Sequence, residues 1–273
     1  MIIDNETKVI SSIAIKQSSL GAAMHNSGFR HLGLNFVYIP LTVADCKNAV
    51  AGIRALNFRG STVSMPHKQE VIKYLDKIDP VAKKIGAVNT ISNESGVLTG
   101  YNSDWIGAIE ALKEVTKLKN RVVCLIGAGG AARAISYGLK ENKSDVVIFD
   151  RTVSKAMKLS KTFDLRLGGD LENLKKFQED YDILINATSV GFYPNTNDSI
   201  VDKEMIQLGK VAMDVVFNPR ETLFLKYAKT RKCSIVPGYR MLIHQALFQF
   251  ELFTGRKPPF KVMEHALLKN LKK

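Results

Sequence analysis

A glycine-rich segment, GAGGAA at residues 127–132, has the spacing of a dinucleotide-binding turn. It follows Val122–Ile126, a short apolar run that predicts a strand buried on both faces, and apolar residues at helical spacing come after it. In such a unit the first glycine makes the tight turn and the second lets the backbone approach a pyrophosphate. The third position needs only a small residue, here Ala132. The N-terminus of the helix then offers N–H groups and the positive end of its dipole to phosphates.

A carboxylate lies where a ribose-binding acid is expected. Asp150 ends the next apolar run, residues 146–150, and basic side chains lie in the same turn. An isolated glycine motif fits a turn that binds nothing equally well, but these neighbours favour a bound dinucleotide. The predicted cofactor-binding residues in this region are Gly127, Ala128, Gly129, Gly130, Ala131, Asp150, Arg151, Thr152 and Lys155.

Length and composition are those of an ordinary globular protein. The chain has 273 residues, of which 45% are hydrophobic and 24% charged, enough for one large or two modest domains. No apolar run approaches the roughly 18 residues of a membrane helix, and the N-terminus lacks the form of a secretory signal. The three cysteines have no metal-like spacing, which predicts reduced thiols and a cytoplasmic location.

The formal net charge of +13 raises the question of a nucleic-acid partner. The lysines are scattered along the chain, without a basic tract that has interleaved aromatic residues. A basic balance also attracts anionic small molecules. We therefore expect a small anionic substrate, and neither nucleic acid nor membrane as a partner. The sequence leaves open whether the chain is a monomer or a homodimer.

The order of predicted elements is that of an α/β protein with two domains. Strands and helices alternate from residue 8, with Thr42 as the predicted cap of one helix and a helix predicted after Lys68. A doubly wound, Rossmann-type parallel sheet follows from about residue 121. Two amphipathic helices end the chain with no strand after them, so we expect them to pack on the N-terminal α/β unit. The predicted domains are 1–104 plus 239–273 for the substrate and 105–238 for NAD(P).

A series of motifs, in order along nearly the whole chain, resembles the shikimate dehydrogenase family. Each motif alone is weak, and together they are specific. They are Ser19 with Met24-His25-Asn26, Gly60–Lys68, Gly86–Thr90, Gly100–Asp104, Gly127–Ala131, Arg151-Thr152, Asn186–Gly191, Asp214–Pro219, and Gly238 with Met241, Leu242 and Gln245.

The resemblance implies NADP-dependent interconversion of a 3-dehydro ring ketone and a secondary alcohol on a shikimate-like polyhydroxy carboxylic acid. It places Lys68 and Asp104 beside the reacting hydroxyl, which must lose its proton as hydride leaves the carbinol carbon. A lone Lys–Asp pair is usually a surface salt bridge, and only the motif settings favour catalysis here. The resemblance also implies two further groups of residues. They are Ser19, Ser64, Asn89 and Gln245 at the substrate, and Thr188, Ser189, Val215, Gly238 and Met241 on the nicotinamide side. For Asn89 and Gln245 the alternative is ordinary capping and helix hydrogen bonding.

Three departures from the family pattern fall on the substrate side. Gly21 replaces the second of two serines, Phe217 replaces a tyrosine, and Thr62 and Ser64 replace the Asn and Thr of an Asn-Val-Thr motif. A lost hydrogen bond to a charged group is worth roughly 1.5–3 kcal/mol. We therefore expect a divergent, shikimate dehydrogenase-like branch with weak activity on shikimate.

The cofactor preference depends on residues of one turn. The carboxylate of Asp150 favours the free ribose hydroxyl of NAD, whereas Arg151 and Lys155 favour the 2′-phosphate of NADP. We predict NADP, with NAD tolerated.

Other functions remain open from the sequence. A quinate-type dehydrogenase using NAD would employ the same site, and a non-catalytic dinucleotide-binding sensor would have lost the chemistry. A short-chain dehydrogenase is disfavoured because none of the eight tyrosines has a lysine four residues later. His25 and His67 form no pair at ligand spacing with a carboxylate, so no metal site is predicted.

Overall fold

The computed structural model describes residues 3–177 and 180–271, and the chain divides into two compact units. The first unit comprises the chain up to Ser103 together with Gln245–Leu271, and the second comprises Asp104–His244. Each unit is an α/β structure with one six-stranded sheet. The later boundary falls within the helix Gly238–Thr254, so one continuous helix contributes residues to both units.

The sheet of the first unit is mixed. Its strand order is β2-β1-β3-β5-β6-β4, with β1 parallel to β2 and β3, and β5 antiparallel to β3 and β6. The consecutive strands β5 and β6 form a hairpin. The strands are β1 (Lys8–Ala14), β2 (Phe36–Thr42), β3 (Gly60–Val63), β4 (Lys77–Ile78), β5 (Thr90–Glu94) and β6 (Val97–Tyr101).

The helices of the first unit correct two sequence predictions. Thr42 does not cap a helix, because it is the last residue of β2 and pairs with Ala14 of β1. The cap is Asp45, whose carboxylate accepts a hydrogen bond from the Asn48 N–H at 2.9 Å. After Lys68 the chain forms a short 3₁₀ helix, Glu70–Tyr74, instead of an α-helix. The helices are α1 (Leu20–His31), α2 (Cys46–Ala55), α3 (Pro80–Ile85) and α10 (Phe260–Asn270), with the later part of α9 (Gly238–Thr254).

The two C-terminal helices complete the core of the first unit, as predicted. The ring of Phe250 in α9 stacks on that of Phe29 in α1 with centroids 5.1 Å apart, and α10 packs along α1. His25 lies within this aromatic layer, 1% exposed, with its ring stacked on Tyr38 at 4.8 Å. No described residue forms a hydrogen bond with its Nδ1 atom.

Acid should destabilise the first unit through His25. Burial lowers the pKa of this imidazole from 6.5 to about 4, although the Gln249 side chain raises it in part. The unfolded chain therefore binds a proton at His25 in a pH range where the folded chain does not. We expect the free energy of unfolding to fall by up to about 3 kcal/mol between pH 6.5 and pH 4. Urea unfolding at several pH values measures this.

The matched variant is His25→Phe, which keeps a ring in the aromatic layer and removes the titrating group. We expect a shallower dependence of unfolding free energy on pH in this range. The same slope in both proteins would show that other groups cause the acid sensitivity.

The sheet of the second unit is wholly parallel. Its strand order, β12-β11-β10-β7-β8-β9, is that of a doubly wound dinucleotide-binding sheet, in which the order reverses between β7 and β10. The strands are β7 (Val122–Ile126), β8 (Asp145–Phe149), β9 (Arg166–Gly169), β10 (Ile183–Asn186), β11 (Val211–Asp214) and β12 (Ser234–Val236).

Helices cover this second sheet, and apolar clusters lie on both of its faces. The strand β9 and the helix α7 were not predicted, because both are short; two of the four residues of β9 are glycines, and α7 is rich in polar residues. No helix in residues 3–177 and 180–271 has the length and apolar character to cross a membrane. The helices are α4 (Asp104–Lys113), α5 (Gly130–Glu141), α6 (Val153–Phe163), α7 (Leu171–Lys176) and α8 (Leu223–Thr230), with the first part of α9.

Candidate active site

Most of the predicted substrate residues of the first unit lie at one end of the sheet, where the parallel strands β1 and β3 have their carboxyl termini. β1 and β3 are parallel, so Ser19 after β1 and Ser64 after β3 both follow carboxyl ends. Because β5 runs antiparallel to β3, Asn89 before β5 lies at the same end of the sheet. In α/β proteins, ligands bind beyond the carboxyl ends of the parallel strands. Ser19 and Ser64 are exposed there, while Gln245 is half-buried on α9.

Lys68 is half-buried in the segment that joins β3 to the 3₁₀ helix. Its backbone carbonyl accepts a hydrogen bond from the Val88 N–H at 2.8 Å, and the N–H of the preceding His67 donates to the Ser64 carbonyl at 3.0 Å. These bonds anchor the backbone on both sides of the lysine. A long side chain on an anchored backbone can place its amine reproducibly.

Asn89 belongs to a buried polar network. Its Oδ1 accepts hydrogen bonds from the Ser103 N–H at 2.7 Å and from the Thr90 hydroxyl at 2.9 Å. The Gln249 amide of α9 donates to Thr90 and Ser103 at 3.2 and 3.0 Å. This network fixes Ser103, the residue before Asp104. Sequence reasoning missed Thr90, Ser103 and Gln249, although Thr90 and Ser103 lie inside motifs that had been noted.

Asp104 is the first residue of α4 and of the second unit, and it is 4% exposed. A carboxylate in the first turn of a helix is stabilised by the N–H groups and by the helix dipole. Burial of a carboxylate is costly unless it is paired or hydrogen-bonded. The start of α4 therefore offers this buried side chain a favourable dipole.

Tyr38 occupies the space beside Gly21. Its hydroxyl forms a 2.5 Å hydrogen bond with the Thr62 hydroxyl, and both residues are buried. A Cβ atom at position 21 would lie 2.9 Å from the Tyr38 hydroxyl oxygen. Glycine at 21 therefore lets Tyr38 and Thr62 form this contact without a shift of the ring.

The glycine turn of the second unit has the predicted geometry. Gly127 follows β7 with φ of 111°, in the region that favours glycine, and a Cβ there would lie 3.0 Å from the Ala187 carbonyl oxygen. Gly129 and Gly130 begin α5, and a Cβ at either position meets no heavy atom within 4 Å. The N-terminus of α5 is thus open to a ligand, and Ala131 beside it is half-buried.

Asp150 uses its carboxylate within the protein. Its two oxygens accept hydrogen bonds from the Ala128 N–H at 2.8 Å and the Thr152 N–H at 2.7 Å. The side chain therefore joins the glycine turn to the turn after β8. Arg151 and Lys155 are exposed beside it. This arrangement commits the carboxylate to the backbone and leaves two basic side chains exposed beside it.

A second buried network fixes the loops after β10 and β11. Asp214 accepts hydrogen bonds from the Asn186 amide at 3.0 Å, the Val216 N–H at 2.9 Å and the Thr222 hydroxyl at 2.6 Å. The Thr188 hydroxyl donates to Asn186 at 2.7 Å. Burial raises the pKa of Asp214 to about 7, and these donors oppose the increase. The network positions Thr188 and Val215, and its acid was not among the predicted site residues.

The remaining predicted nicotinamide residues have different environments. Ser189 is exposed, whereas Gly238 is buried, and a Cβ there would lie 2.6 Å from the Val215 carbonyl oxygen. Glycine at 238 is thus required by close backbone packing. Met241 is 5% exposed within the apolar cluster that contains Ala132 and Val236. Its packing is that of a core residue.

Comparison with known proteins decides the family. Residues 110–221 match the family model described as shikimate/quinate 5-dehydrogenase. Residues 13–91 match the shikimate dehydrogenase substrate binding domain, and residues 238–268 match the shikimate 5′-dehydrogenase C-terminal domain. The NADP(+) shikimate dehydrogenase of Pyrococcus furiosus is 41% identical over 269 residues, which cover 98% of this chain and 97% of the relative. The chain belongs to the shikimate dehydrogenase family.

Solved structures of this family share the fold over their whole length. A shikimate dehydrogenase crystallised in complex with NADP+ has a TM-score of 0.92 at 38% identity, and the match covers 100% of this chain and 98% of that one. The enzyme from Thermus thermophilus in complex with NADP(H) and shikimate has a TM-score of 0.88 at 32% identity, covering 97% and 100%. The two-domain α/β prediction is thereby confirmed.

One departure from the shikimate dehydrogenase pattern lies in the second unit. Phe217 packs edge-on against Phe192, with ring centroids 5.6 Å apart. The ring is half-buried and has no hydroxyl to offer. At this position the chain presents an apolar edge where the family pattern has a hydrogen-bond donor.

Proposed function

We propose that this chain is an NADP-dependent oxidoreductase that interconverts 3-dehydroshikimate and shikimate. The observation that carries the proposal is full-length similarity to NADP(+) shikimate dehydrogenases, with the lysine and the aspartate of the family motifs present as Lys68 and Asp104. The open N-terminus of α5 and the basic side chains after β8 suit a dinucleotide that carries an additional phosphate.

Lys68 and Asp104 carry the proton transfer in this proposal. Oxidation of a secondary alcohol removes hydride from the carbinol carbon, and the hydroxyl proton must leave as the carbonyl forms. Lys68 accepts that proton on its Nζ, and Asp104 stabilises the resulting charge. In the reverse direction Lys68 returns the proton to the carbonyl oxygen. NADP+, when bound, supplies the hydride acceptor.

The other predicted residues bind and orient the two ligands. Residues 1–104 with 239–273 form the substrate domain in this proposal, and 105–238 form the NADP domain. Ser19, Ser64 and Gln245 bind hydroxyl or carboxylate groups of the substrate. Asn89 contributes through its amide and also by holding Ser103. The glycine turn and Arg151 bind the phosphates.

The proposal also covers the partner, the location and the oligomeric state of the protein. The partner is a small anionic molecule, in keeping with the net charge of +13. We place the protein in the cytoplasm, as a monomer or homodimer, with no nucleic-acid or membrane partner. The three cysteines form no disulfide bond with one another, which agrees with a reducing compartment.

A substrate panel tests the function directly. The purified chain is assayed for NADP+ and NAD+ reduction with shikimate, quinate and amino-substituted analogues. We expect turnover of shikimate with NADP+, at a kcat/KM below that of dehydrogenases that carry both serines and the tyrosine. Faster turnover of quinate with NAD+ would favour the quinate-type alternative, and binding of NADP without any turnover would favour the sensor.

Gly21 and Tyr38 explain the expected weakness on shikimate. A serine at 21 would add a donor for a carboxylate, but its Cβ would press on the Tyr38 hydroxyl. We expect Gly21→Ser to raise kcat/KM for shikimate by about tenfold or more in a Tyr38→Phe background, and by less in the wild-type background. The control is Tyr38→Phe alone. Equal gains in both backgrounds would show that Tyr38 does not limit this position.

A further inference from the structure

Three side chains with metal-binding atoms converge in the first unit, and none of them has a role in the proposed reaction. The Cys46 Sγ, a ring nitrogen of His67 and a Glu70 carboxylate oxygen all lie within 4.8 Å of one another. Cys46 begins α2, His67 follows β3, and Glu70 begins the 3₁₀ helix. The three residues come from two separate segments, so the spacing argument from the sequence could not detect them.

His67 is oriented as a metal-binding imidazole. It is 2% exposed, and its Nε2 lies 2.9 Å from the Val43 carbonyl oxygen. A carbonyl only accepts, so Nε2 carries the proton of the neutral ring and Nδ1 carries a lone pair. No described residue forms a hydrogen bond with this buried Nδ1. An unsatisfied buried acceptor is costly, and metal-binding histidines typically donate their other N–H to a carbonyl or carboxylate.

The other two side chains place possible ligand atoms close to the His67 ring. The Glu70 Oε2 is 3.9 Å from the His67 Nδ1, too far for a hydrogen bond, while Glu70 Oε1 accepts from the Tyr74 hydroxyl at 3.3 Å. The Cys46 side chain is buried, and burial, followed by the charges of Glu70 and Asp45, raises the pKa of its thiol to about 11. Without a cation the thiol therefore stays protonated near neutral pH.

We propose that Cys46, His67 and Glu70 bind a divalent transition metal ion of the Zn2+ class. Sulfur, imidazole and carboxylate together are a donor set typical of Zn2+. Its bond lengths of about 2.0–2.3 Å place tetrahedral donors roughly 3.3–3.6 Å apart. The separations in the cluster are at most 4.8 Å, so metal binding requires these side chains to move together by about 1 Å. Binding exchanges the thiol proton for the metal and releases that proton, and a water molecule completes the coordination.

The site would connect α2 to the segment that carries Lys68. His67 immediately precedes Lys68 in the chain, so a metal held at Nδ1 ties this segment to α2. The inference goes beyond the proposed function and does not depend on it, because metal binding is measured without substrate or NADP. It departs from the sequence-based expectation that no metal is bound.

Metal titration of the full chain, after treatment with a chelator, tests the proposal. We expect calorimetry with Zn2+ to show one site per chain, and Co2+ to produce a thiolate-to-cobalt charge-transfer absorption. Cys46→Ser should abolish this absorption and weaken Zn2+ binding by at least tenfold. Glu70→Gln should weaken Zn2+ binding with the absorption retained at saturating Co2+. The matched control is Cys233→Ser, which removes a half-buried thiol of the second unit and should change neither.

A second measurement guards against misfolding of the variants. Zn2+ should raise the Tm of the wild-type chain and of Cys233→Ser, and raise that of Cys46→Ser by less at the same Zn2+ concentration. Circular dichroism of the metal-free proteins should be the same. The proposal is overturned if the wild-type chain binds no Zn2+, if Cys46→Ser binds Zn2+ as tightly as the wild-type chain, or if Cys233→Ser loses binding.

Discussion

Lys68→Ala should lower kcat for NADP+-dependent oxidation by about 10²- to 10⁴-fold, the usual contribution of a general acid–base group. The amine accepts the hydroxyl proton only as the carbonyl forms, so its loss should affect kcat far more than KM. The backbone bonds at His67 and Lys68 involve no part of the deleted side chain. The fold should therefore persist, and steady-state kinetics together with circular dichroism measure both effects.

Two variants complete this test. Lys73→Ala removes an exposed lysine from the neighbouring 3₁₀ helix and should retain wild-type kcat. Asp104→Asn should lower kcat, and combining it with Lys68→Ala should cost far less than the product of the single effects, because the two groups act on one proton. Multiplicative losses would show that the two groups act independently, and a Lys68→Ala enzyme with normal kcat would remove Lys68 from the mechanism.

Arg151→Ala should raise KM for NADP+ by roughly 10- to 150-fold and leave that for NAD+ nearly unchanged. A charge-assisted hydrogen bond contributes about 1.5–3 kcal/mol, and only NADP+ carries the 2′-phosphate that Arg151 can bind. The competing carboxylate of Asp150 already accepts two backbone N–H groups. We therefore expect the wild-type enzyme to prefer NADP+. Initial rates over a range of each cofactor give both constants.

Lys161→Ala is the matched control for Arg151. Lys161 is an exposed cation on α6, two turns beyond Lys155, and its loss should alter neither constant by more than about twofold. An equal increase in KM for both cofactors in Arg151→Ala would indicate a contact with a part of the dinucleotide that they share. Strict dependence of the wild-type chain on NAD+ would contradict the proposed cofactor.

The sequence predicts best those helices whose apolar residues recur at regular spacing within one segment. The helices Val153–Phe163 and Leu223–Thr230 can be identified from the sequence, because each has a helical apolar pattern. Thr42 was misassigned because its pairing with Ala14 is a contact between distant segments. The short strand β9, half of which is glycine, gives no periodic signal, and it forms only by pairing with β8.

The candidate site likewise has parts that the sequence could predict and parts that it could not. The glycine turn could be predicted because its chemistry is contained in consecutive residues. The network of Asn89, Ser103 and Gln249 could not, since it joins residues far apart in the chain. Likewise, only the structure shows that Asp150 is committed to backbone N–H groups, and that Tyr38 accompanies Gly21.

The interrupted first unit has a consequence for biosynthesis. Its aromatic layer needs Phe250, which is synthesised after the stretch Asp104–His244 of the second unit. The second unit can therefore fold first during synthesis, while Phe29 in the N-terminal segment stays exposed until α9 has been made. Stop codons before α9 should yield a chain that chaperones retain, and a circular permutant starting at Gln245 would remove the delay.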